Sequence, residues 1–185
     1  IKSQLQGLAL NLPAPLGKRV EETSAFKYES LVQSVSNVAP YKAQRDQIQM
    51  TWGRGLSASY LRDLTGAEPR VIQGRIQVDE AIAAPSLNSS DLGVTAVISL
   101  PSISVDEWLS VISPAKSGPA LTSTQNAPIT PATQTYLPTR LTLKANEVTV
   151  QGRQLHNVFI NGSREGPLWR TNLDAREFSG YLEYR

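Results

Sequence analysis

The side chain best suited to acid–base chemistry at neutral pH is that of His156, the only histidine among 185 residues. A serine hydrolase triad would need this imidazole, and a metal site with two histidine ligands is excluded. The alternation around His156 puts it on the apolar side of a strand, opposite Leu173, which favours a structural role. Cysteine is absent, which excludes thiolate zinc sites and cysteine nucleophiles. We therefore predict no catalytic residue, no metal ligand and no cofactor.

The acidic pairs, the glycines and the net charge indicate no stronger candidate for a catalytic or binding site. Glu21-Glu22 and Asp79-Glu80 are chain neighbours, whose side chains point to opposite faces of a strand. Asp106-Glu107 belongs to a predicted helix cap, and we interpret all three pairs as solvated charges. No glycine belongs to a phosphate-binding loop of the G-x-x-x-x-G-K-S/T type. The net charge is +2, from 18 Lys and Arg against 16 Asp and Glu, too small and too scattered to indicate a nucleic-acid partner. We expect neither an enzyme nor a nucleic-acid-binding protein.

The elements that would position any site are mostly β-strands, because apolar and polar residues alternate with period two. Residues 47–60 predict a hairpin around Gly53-Arg54-Gly55, with Trp52 opposite Leu56 and every apolar side chain on one face. Further strands are predicted at 7–12, 72–78 and 93–100. The pattern of residues 19–44 favours neither strand nor helix.

One helix and one boundary interrupt this pattern. Ser104-Val105-Asp106-Glu107 matches a capping box and precedes apolar residues at helical spacing, which predicts a short helix over about 104–113. Residues 114–138 contain five prolines and one charged residue, as a linker or insertion does. The predicted organisation is a β-rich segment at 1–113, the linker at 114–138 and an antiparallel β-meander at 139–185.

The meander has a register that turn positions predict. A turn at Gln151-Gly152 places Leu143 opposite Ile160, a loop over 162–167 places Ile160 opposite Trp169, and a turn at 174–177 places Trp169 opposite Leu182. Val148 and Val150 fall on the other face unless a bulge lies near 145–147. The predicted fold is mostly β, with antiparallel meanders forming a curved sheet or groove and one short helix. The candidate lining of that groove is Leu143, Val158, Ile160, Trp169, Leu173, Phe178 and Leu182.

The residues alone leave open whether this apolar face lines a groove or is an ordinary core. Sheet-on-sheet packing or the other half of the chain would bury the same side chains. No run approaches the roughly 18 to 20 consecutive apolar residues that span a bilayer, so we predict no membrane span in this chain. Its first residue is Ile1 rather than Met, and we expect an internal fragment.

Three groups of short strings add a further observation. The first is L-N-L-P-A-P-L-G-K at 10–18. The second is G-R-I-Q-V at 74–78, A-P at 84–85 and L-P-S-I-S-V-D-E-W at 100–108. The third comprises Gly152, Arg153, Leu155, Val158 and Ile160, then Arg164, Gly166, Trp169, Leu173, Gly180 and Leu182. In this order and spacing, the strings resemble the YhdP branch of the AsmA-like bacterial envelope proteins.

This resemblance implies a segment of a long, inner-membrane-anchored protein whose periplasmic part is implicated in phospholipid transport to the outer membrane. It implies a β-sheet groove with an apolar lining and no catalytic residues. The expected partners are phospholipid acyl chains and neighbouring segments of the same long chain. The alternative is a structural or partner-docking β module that contacts no lipid. A hydrolase or glycan-processing fragment would need polar side chains that converge in a cleft.

Overall fold

The computed structural model describes residues 1–34, 44–53, 55–78, 92–112 and 134–185. Its ten strands form one sheet whose spatial order is the order of the sequence. The mostly β fold with a single short helix is thereby confirmed. The elements are β1 (Lys2–Ser3), β2 (Phe26–Ser34), β3 (Gln44–Trp52), β4 (Leu56–Asp63), β5 (Arg70–Val78), β6 (Gly93–Ser104), α1 (Val105–Ile112), β7 (Arg140–Val150), β8 (Arg153–Glu165), β9 (Leu168–Asp174) and β10 (Ser179–Tyr184).

Two of the strand pairings are parallel, which the antiparallel prediction missed. β6 runs parallel to β5 on one side and to β7 on the other, whereas all the other pairs are antiparallel. Parallel neighbours need a long connection, since the chain must return to the end of the sheet where the previous strand began. Residues 79–92 and 105–139 are these connections. The strands that flank the predicted linker at 114–138 are therefore adjacent in the same sheet; residues 113–133 lie outside the described ranges.

The first predicted hairpin is confirmed residue by residue. Trp52 lies opposite Leu56, Met50 opposite Ala58 and Ile48 opposite Tyr60. Arg54, in the middle of the predicted turn, lies outside the described residues, as do Ala84 and Pro85. The undecided segment 19–44 contains β2, which pairs with β3 and places Phe26 opposite Trp52.

The strand predicted at 7–12 is wrong. These residues stay outside the sheet and make one isolated bridge, between Leu10 and Lys18, around the two prolines of the L-P-A-P-L-G-K string. Proline removes backbone donors that a ladder needs, so this part of the chain turns back on itself. Lys18 closes the turn, because its Nζ donates hydrogen bonds to the carbonyl oxygens of Leu8 (2.6 Å) and Arg19 (3.1 Å). We call residues 4–25 the N-terminal segment.

Of the three registers predicted for the meander, one is confirmed and two are wrong. Leu143 lies opposite Ile160, as predicted. Ile160 lies opposite Leu173 and not Trp169, which pairs with Arg164 and Tyr184. The β8–β9 reversal is a tight turn at 166–167 rather than a loop over 162–167, and the shift of four residues is even, so every side chain keeps its face.

A glycine in the middle of β8 explains the wrong register. Gly162 is a strand residue, and a Cβ on it would lie 2.9 Å from Oγ1 of Thr171 on β9. It allows close approach of β9 rather than a turn. Gly166 has φ +59 and makes the actual reversal with Pro167. From the sequence, both glycines are equally good turn residues.

The sheet is irregular near 145–147, where a bulge was predicted, but neither strand carries an extra residue. The β7–β8 register is constant, but the ladder omits the pair Asn146–Asn157, and Asn157 has φ +53. Beyond this point Val148 returns to the cluster formed by Ala145 and Val158, and all three are at most 5% exposed. Ile103, Val105 and Leu155 pack around them, so the only fully closed apolar cluster of the described sheet lies beside α1.

The helix begins where the capping box predicts. Ser104 Oγ accepts a hydrogen bond from the Glu107 amide at 3.3 Å. Asp106, predicted to be a solvated charge, instead accepts hydrogen bonds from the amides of Gln151 (2.8 Å) and Gly152 (3.1 Å) in the β7–β8 turn. This carboxylate therefore ties the start of α1 to the hairpin that the helix covers.

Candidate functional site

A single row of apolar side chains crosses eight adjacent strands, from β2 to β9. Partners opposite each other in a ladder point to the same face, so the register alone defines the row. We call it the apolar row and its side of the sheet the apolar face. Its members are Phe26, Trp52, Leu56, Val78, Ile98, Leu143, Ile160 and Leu173, and the row ends at Gly180 in β10.

A neighbouring row on the apolar face has the same character from β2 to β7. It comprises Tyr28, Met50, Ala58, Ile76, Ala96 and Leu141, and then passes through Gly162 and Thr171 to Leu182. The row between them, on the opposite face, is mostly polar and runs Lys27, Thr51, Ser57, Gln77, Val97, Thr142, Asn161, Asn172 and Tyr181. The two faces thus differ in polarity across the whole sheet.

Sequence analysis found only the C-terminal part of this surface. Leu143, Ile160 and Leu173 belong to the apolar row. Of its N-terminal members, Trp52 and Leu56 were predicted in one hairpin, Val78 and Ile98 in separate strands, and Phe26 in the undecided segment. The missing information was the pair of parallel registers, which set Val78 beside Ile98 and Ile98 beside Leu143. The sequence did contain one signal for the longer row, which is the same alternation of apolar and polar residues in all the strands.

The other predicted lining residues have different surroundings. Val158 is 2% exposed and sealed in the closed cluster under α1. Trp169 is on the apolar face near the start of β9, with the Arg164 guanidinium 5.9 Å from its ring centroid. Phe178 and Leu182 are 50% and 57% exposed, at the open end of the sheet.

A polar cluster borders the apolar face at the end of β4. The Arg62 guanidinium donates two hydrogen bonds to the Asp46 carboxylate, which is almost fully buried, and a third to the Tyr136 hydroxyl at 3.1 Å. The Tyr136 ring packs edge-on against Tyr60, with the centroids 5.3 Å apart. Hydrogen bonding to Arg62 lowers the pKa of Asp46, and burial raises the pKa of Tyr60. Both groups therefore keep their ordinary charge states near neutral pH.

At the other end of the same strands, the N-terminal segment overhangs the apolar face. Between them lies a cavity of about 1010 Å³. Its sheet side contains Trp52, Leu56 and Val78 from the apolar row, with Leu100 beside them, and its other side contains Lys18. The cavity therefore combines apolar side chains of the sheet with Lys18 and Glu22 of the N-terminal segment.

His156 lies near the start of β8, at the border of the sheet, and forms a hydrogen-bonded pair with Glu177. Its Nδ1 is 2.7 Å from Oε1 of Glu177, and its backbone amide donates to Oε2 of the same carboxylate at 2.9 Å. These two hydrogen bonds, the backbone one first, lower the pKa of Glu177. The predicted position of His156 opposite Leu173 is wrong, because its ladder partner is Glu147. The pair fixes the start of β8 to the β9–β10 turn.

Comparison with known proteins assigns the family. The family model described as YhdP protein matches residues 1–185. The chain belongs to the YhdP family. Neither curated proteins nor solved structures gave a significant match. Membership of the YhdP family suggests a protein of the bacterial envelope. No helix in the described part of this YhdP family chain is long and apolar enough to cross a membrane.

Proposed function

We propose that this chain is a non-enzymatic segment of a periplasmic, inner-membrane-anchored protein that carries phospholipid between the inner and outer membranes. Acyl chains would lie on the apolar face, along the apolar row, and neighbouring segments of the same long protein would continue the sheet. The observation that carries the proposal is the continuity of this row across eight strands, most of whose members remain partly accessible.

The dimensions of the row suit an acyl chain. Seven inter-strand gaps of about 4.8 Å make it roughly 34 Å long. One leaflet is half of a hydrocarbon core of about 30 Å, so an acyl chain spans roughly 15 Å. The row is therefore long enough for two chains end to end.

The energetics explain why a continuous row would be needed. Each methylene in water costs about 0.8 kcal/mol, so ten exposed methylenes cost roughly 8 kcal/mol along an aqueous path. Aliphatic contacts are non-directional and offer similar free energy at each position, which allows sliding. A pocket with directional hydrogen bonds would instead hold its ligand at one place.

The test is photo-crosslinking in living cells, with the protein as the cell makes it. A photoreactive amino acid replaces Ile160 or Trp169 on the apolar face, and Asn161, on the opposite face of the same strand as Ile160, is the matched control. Phospholipid adducts are expected at the first two positions and not at Asn161. Adducts elsewhere in the protein with none at Ile160 and Trp169 would remove this segment from the lipid path.

The second candidate is a partner-docking β module without lipid contact, and β10 favours it. This strand is exposed along its whole length, with Tyr181, Leu182 and Tyr184 between 55% and 76% exposed. Aromatic residues of this kind are enriched in protein interfaces. In the same experiment, protein adducts at Leu182 together with no lipid adducts at Ile160 would select this candidate.

A further inference from the structure

The part of the chain just before β7 contacts the apolar face through Tyr136. The Tyr136 hydroxyl accepts a hydrogen bond from Nη1 of Arg62 at 3.1 Å, and the Tyr136 ring packs edge-on against Tyr60, with the centroids 5.3 Å apart. The Tyr136 carbonyl oxygen also accepts a hydrogen bond from the Tyr60 hydroxyl at 3.4 Å. Leu137, the next residue, is 41% exposed. We call residues 134–138 the strap, and Tyr136 joins it to β4.

The end of the strap nearest β7 is fixed to the sheet. The Thr139 amide donates a hydrogen bond to the Val94 carbonyl oxygen at 2.8 Å, and the Thr139 carbonyl oxygen accepts one from the Arg164 amide at 2.8 Å. Pro138 comes directly before this anchor, and its ring restricts φ to about −65°. The strap is therefore held by backbone hydrogen bonds at Thr139 and by the contacts of Tyr136 farther along.

Tyr60 and the strap close one part of the apolar face. Tyr60 lies opposite Gly74 on that face, and Gly74 lies beside Val94 in the sheet. A Cβ on Gly74 would lie 2.5 Å from Cδ1 of Tyr60 and 3.1 Å from a methyl of Val94, so the Tyr60 ring extends over the glycine toward Val94. Val94 is 1% exposed, and Tyr136 packs against the Tyr60 ring. Side-chain contacts, rather than a pairing between strands, thus close this part of the face.

The contacts of the strap can break without leaving a buried charge unpaired. Nε and Nη2 of Arg62 bind the Asp46 carboxylate, whereas Nη1 binds the Tyr136 hydroxyl. When the strap moves away, the ion pair remains and water can replace the Tyr136 hydroxyl on Nη1, since Arg62 is partly exposed. The closed cluster around Val148, beside α1, differs, because its opening would expose hydrocarbon side chains that water cannot hydrogen-bond. Release of the strap is therefore compensated by water, and opening of the closed cluster is not.

We propose that the strap is a reversible cover of the apolar face, which opens at Tyr136 and pivots at Thr139 while the sheet stays folded. In the closed state, the Tyr60 ring is held over Gly74 and shields Val94. In the open state, the Tyr60 ring turns aside and Val94 becomes accessible. The strap thereby regulates how much of the apolar face a ligand reaches, whichever molecule that face carries.

The test is the labelling of single cysteines, because the chain contains no cysteine of its own. Val94→Cys places a thiol beside the Tyr60 ring, and the matched variant Val148→Cys places one in the closed cluster, where Val148 is 4% exposed. N-ethylmaleimide, which is uncharged, reacts with either thiol only when its surroundings open. Mass spectrometry measures the labelling rate of the folded chain at several urea concentrations below the unfolding transition.

The thiol at position 94 should react at a rate almost independent of urea, because release of the strap exposes little surface. Tyr136→Phe removes the hydroxyl and should increase this rate about fivefold, and Tyr136→Ala also removes the ring and should increase it about thirtyfold. The control Leu137→Ala changes an exposed residue of the strap and should change the rate less than about twofold. The rate at position 148 should stay the same in all three variants.

A labelling rate at position 94 that rises with urea as steeply as global unfolding would overturn the inference, and this measurement needs no substitution in the strap. Equal increases at positions 94 and 148 in Tyr136→Ala, or no increase at position 94, would also overturn it. If phospholipid adducts form at Ile160 and Trp169 in these cases, the proposed function stands without the cover. If the strap opens as expected and no such adducts form, the cover stands and the proposed function fails.

Discussion

The apolar face is covered at one side of the sheet and open at the other. In β3–β6, the covered part, Ala58, Val94 and Ala96 are at most 5% exposed, and Tyr136 packs against Tyr60. In β9–β10, the open part, Leu182 and Tyr184 on the same face are 57% and 76% exposed. Both parts have the same alternation of polar and apolar residues. Alternation therefore assigns a side chain to a face, whereas segments remote in sequence decide whether that face is covered.

The two parts also differ in the burial of their ion pairs and in the space around their glycines. The covered part buries the Asp46–Arg62 ion pair and places Gly74 directly under Tyr60. The open part has an exposed ion-pair network around Arg170, and Gly180 has no neighbour that a Cβ would meet within 4 Å. Matched substitutions in the two parts therefore measure how far coverage, rather than residue type, determines stability.

The largest effect is expected from Asp46→Ala. It leaves the Arg62 guanidinium buried without its counter-ion, and the free energy of unfolding should fall by about 3 kcal/mol, the lower end for a buried pair because Arg62 remains partly exposed. Urea unfolding followed by circular dichroism measures the change. The matched control is Glu165→Ala, which removes an exposed partner of Arg170 and should leave the unfolding midpoint unchanged. Equal losses in the two variants would contradict the difference between the parts.

Acidification should reveal the same ion pair. Because Arg62 lowers the pKa of Asp46 below its unfolded value near 3.9, the pair contributes its full stability above that value. The contribution is lost as the pH falls through the lower pKa of the folded protein. The stability difference between the parent protein and Asp46→Asn should therefore be constant from pH 7 to about pH 5 and shrink below pH 4. A difference that grows on acidification would show that another group dominates.

A smaller loss is expected from Gly74→Ala in the covered part. The new Cβ would lie 2.5 Å from Cδ1 of Tyr60 and 3.1 Å from a methyl of Val94, and this overpacking should cost about 1–3 kcal/mol. Gly180→Ala meets open space and should be neutral or stabilising by up to about 1 kcal/mol, since alanine loses less backbone entropy in a strand. Thermal unfolding of both variants compares the sites. Destabilisation by Gly180→Ala would indicate that β10 is covered in solution.

The smallest effect is expected from Glu177→Ala, which removes the acceptor of the His156 amide. Amide hydrogen exchange at His156 should become faster, while the global unfolding midpoint should stay unchanged because the pair is at the exposed border of the sheet. The amide of Gln151, held by Asp106, is the internal control and should exchange at its original rate. Faster exchange at both amides would mean that the whole border opens as one unit.

Local reasoning was accurate where two strands are joined by a short turn. The hairpin of β3 and β4, the Leu143–Ile160 pair and the start of α1 are confirmed, since each depends on neighbours within about 20 residues. The β8–β9 register was wrong because Gly162 and Gly166 both fit a turn, and only packing against Thr171 selects the second. The burial of Lys18 could not be predicted from the sequence, because it depends on contacts made when the N-terminal segment folds back.

The sequence by itself determined which side chains share a face wherever a strand is regular, because alternation follows the strand period of two; the irregularity at Asn146–Asn157 is the exception. Only the tertiary structure decided that β5, β6 and β7 run parallel and so join two sets of apolar residues into one row. It also decided where that row is covered and where a lysine is buried beside it. Those features depend on long connections and on a segment outside the sheet, whose paths residue periodicity does not encode.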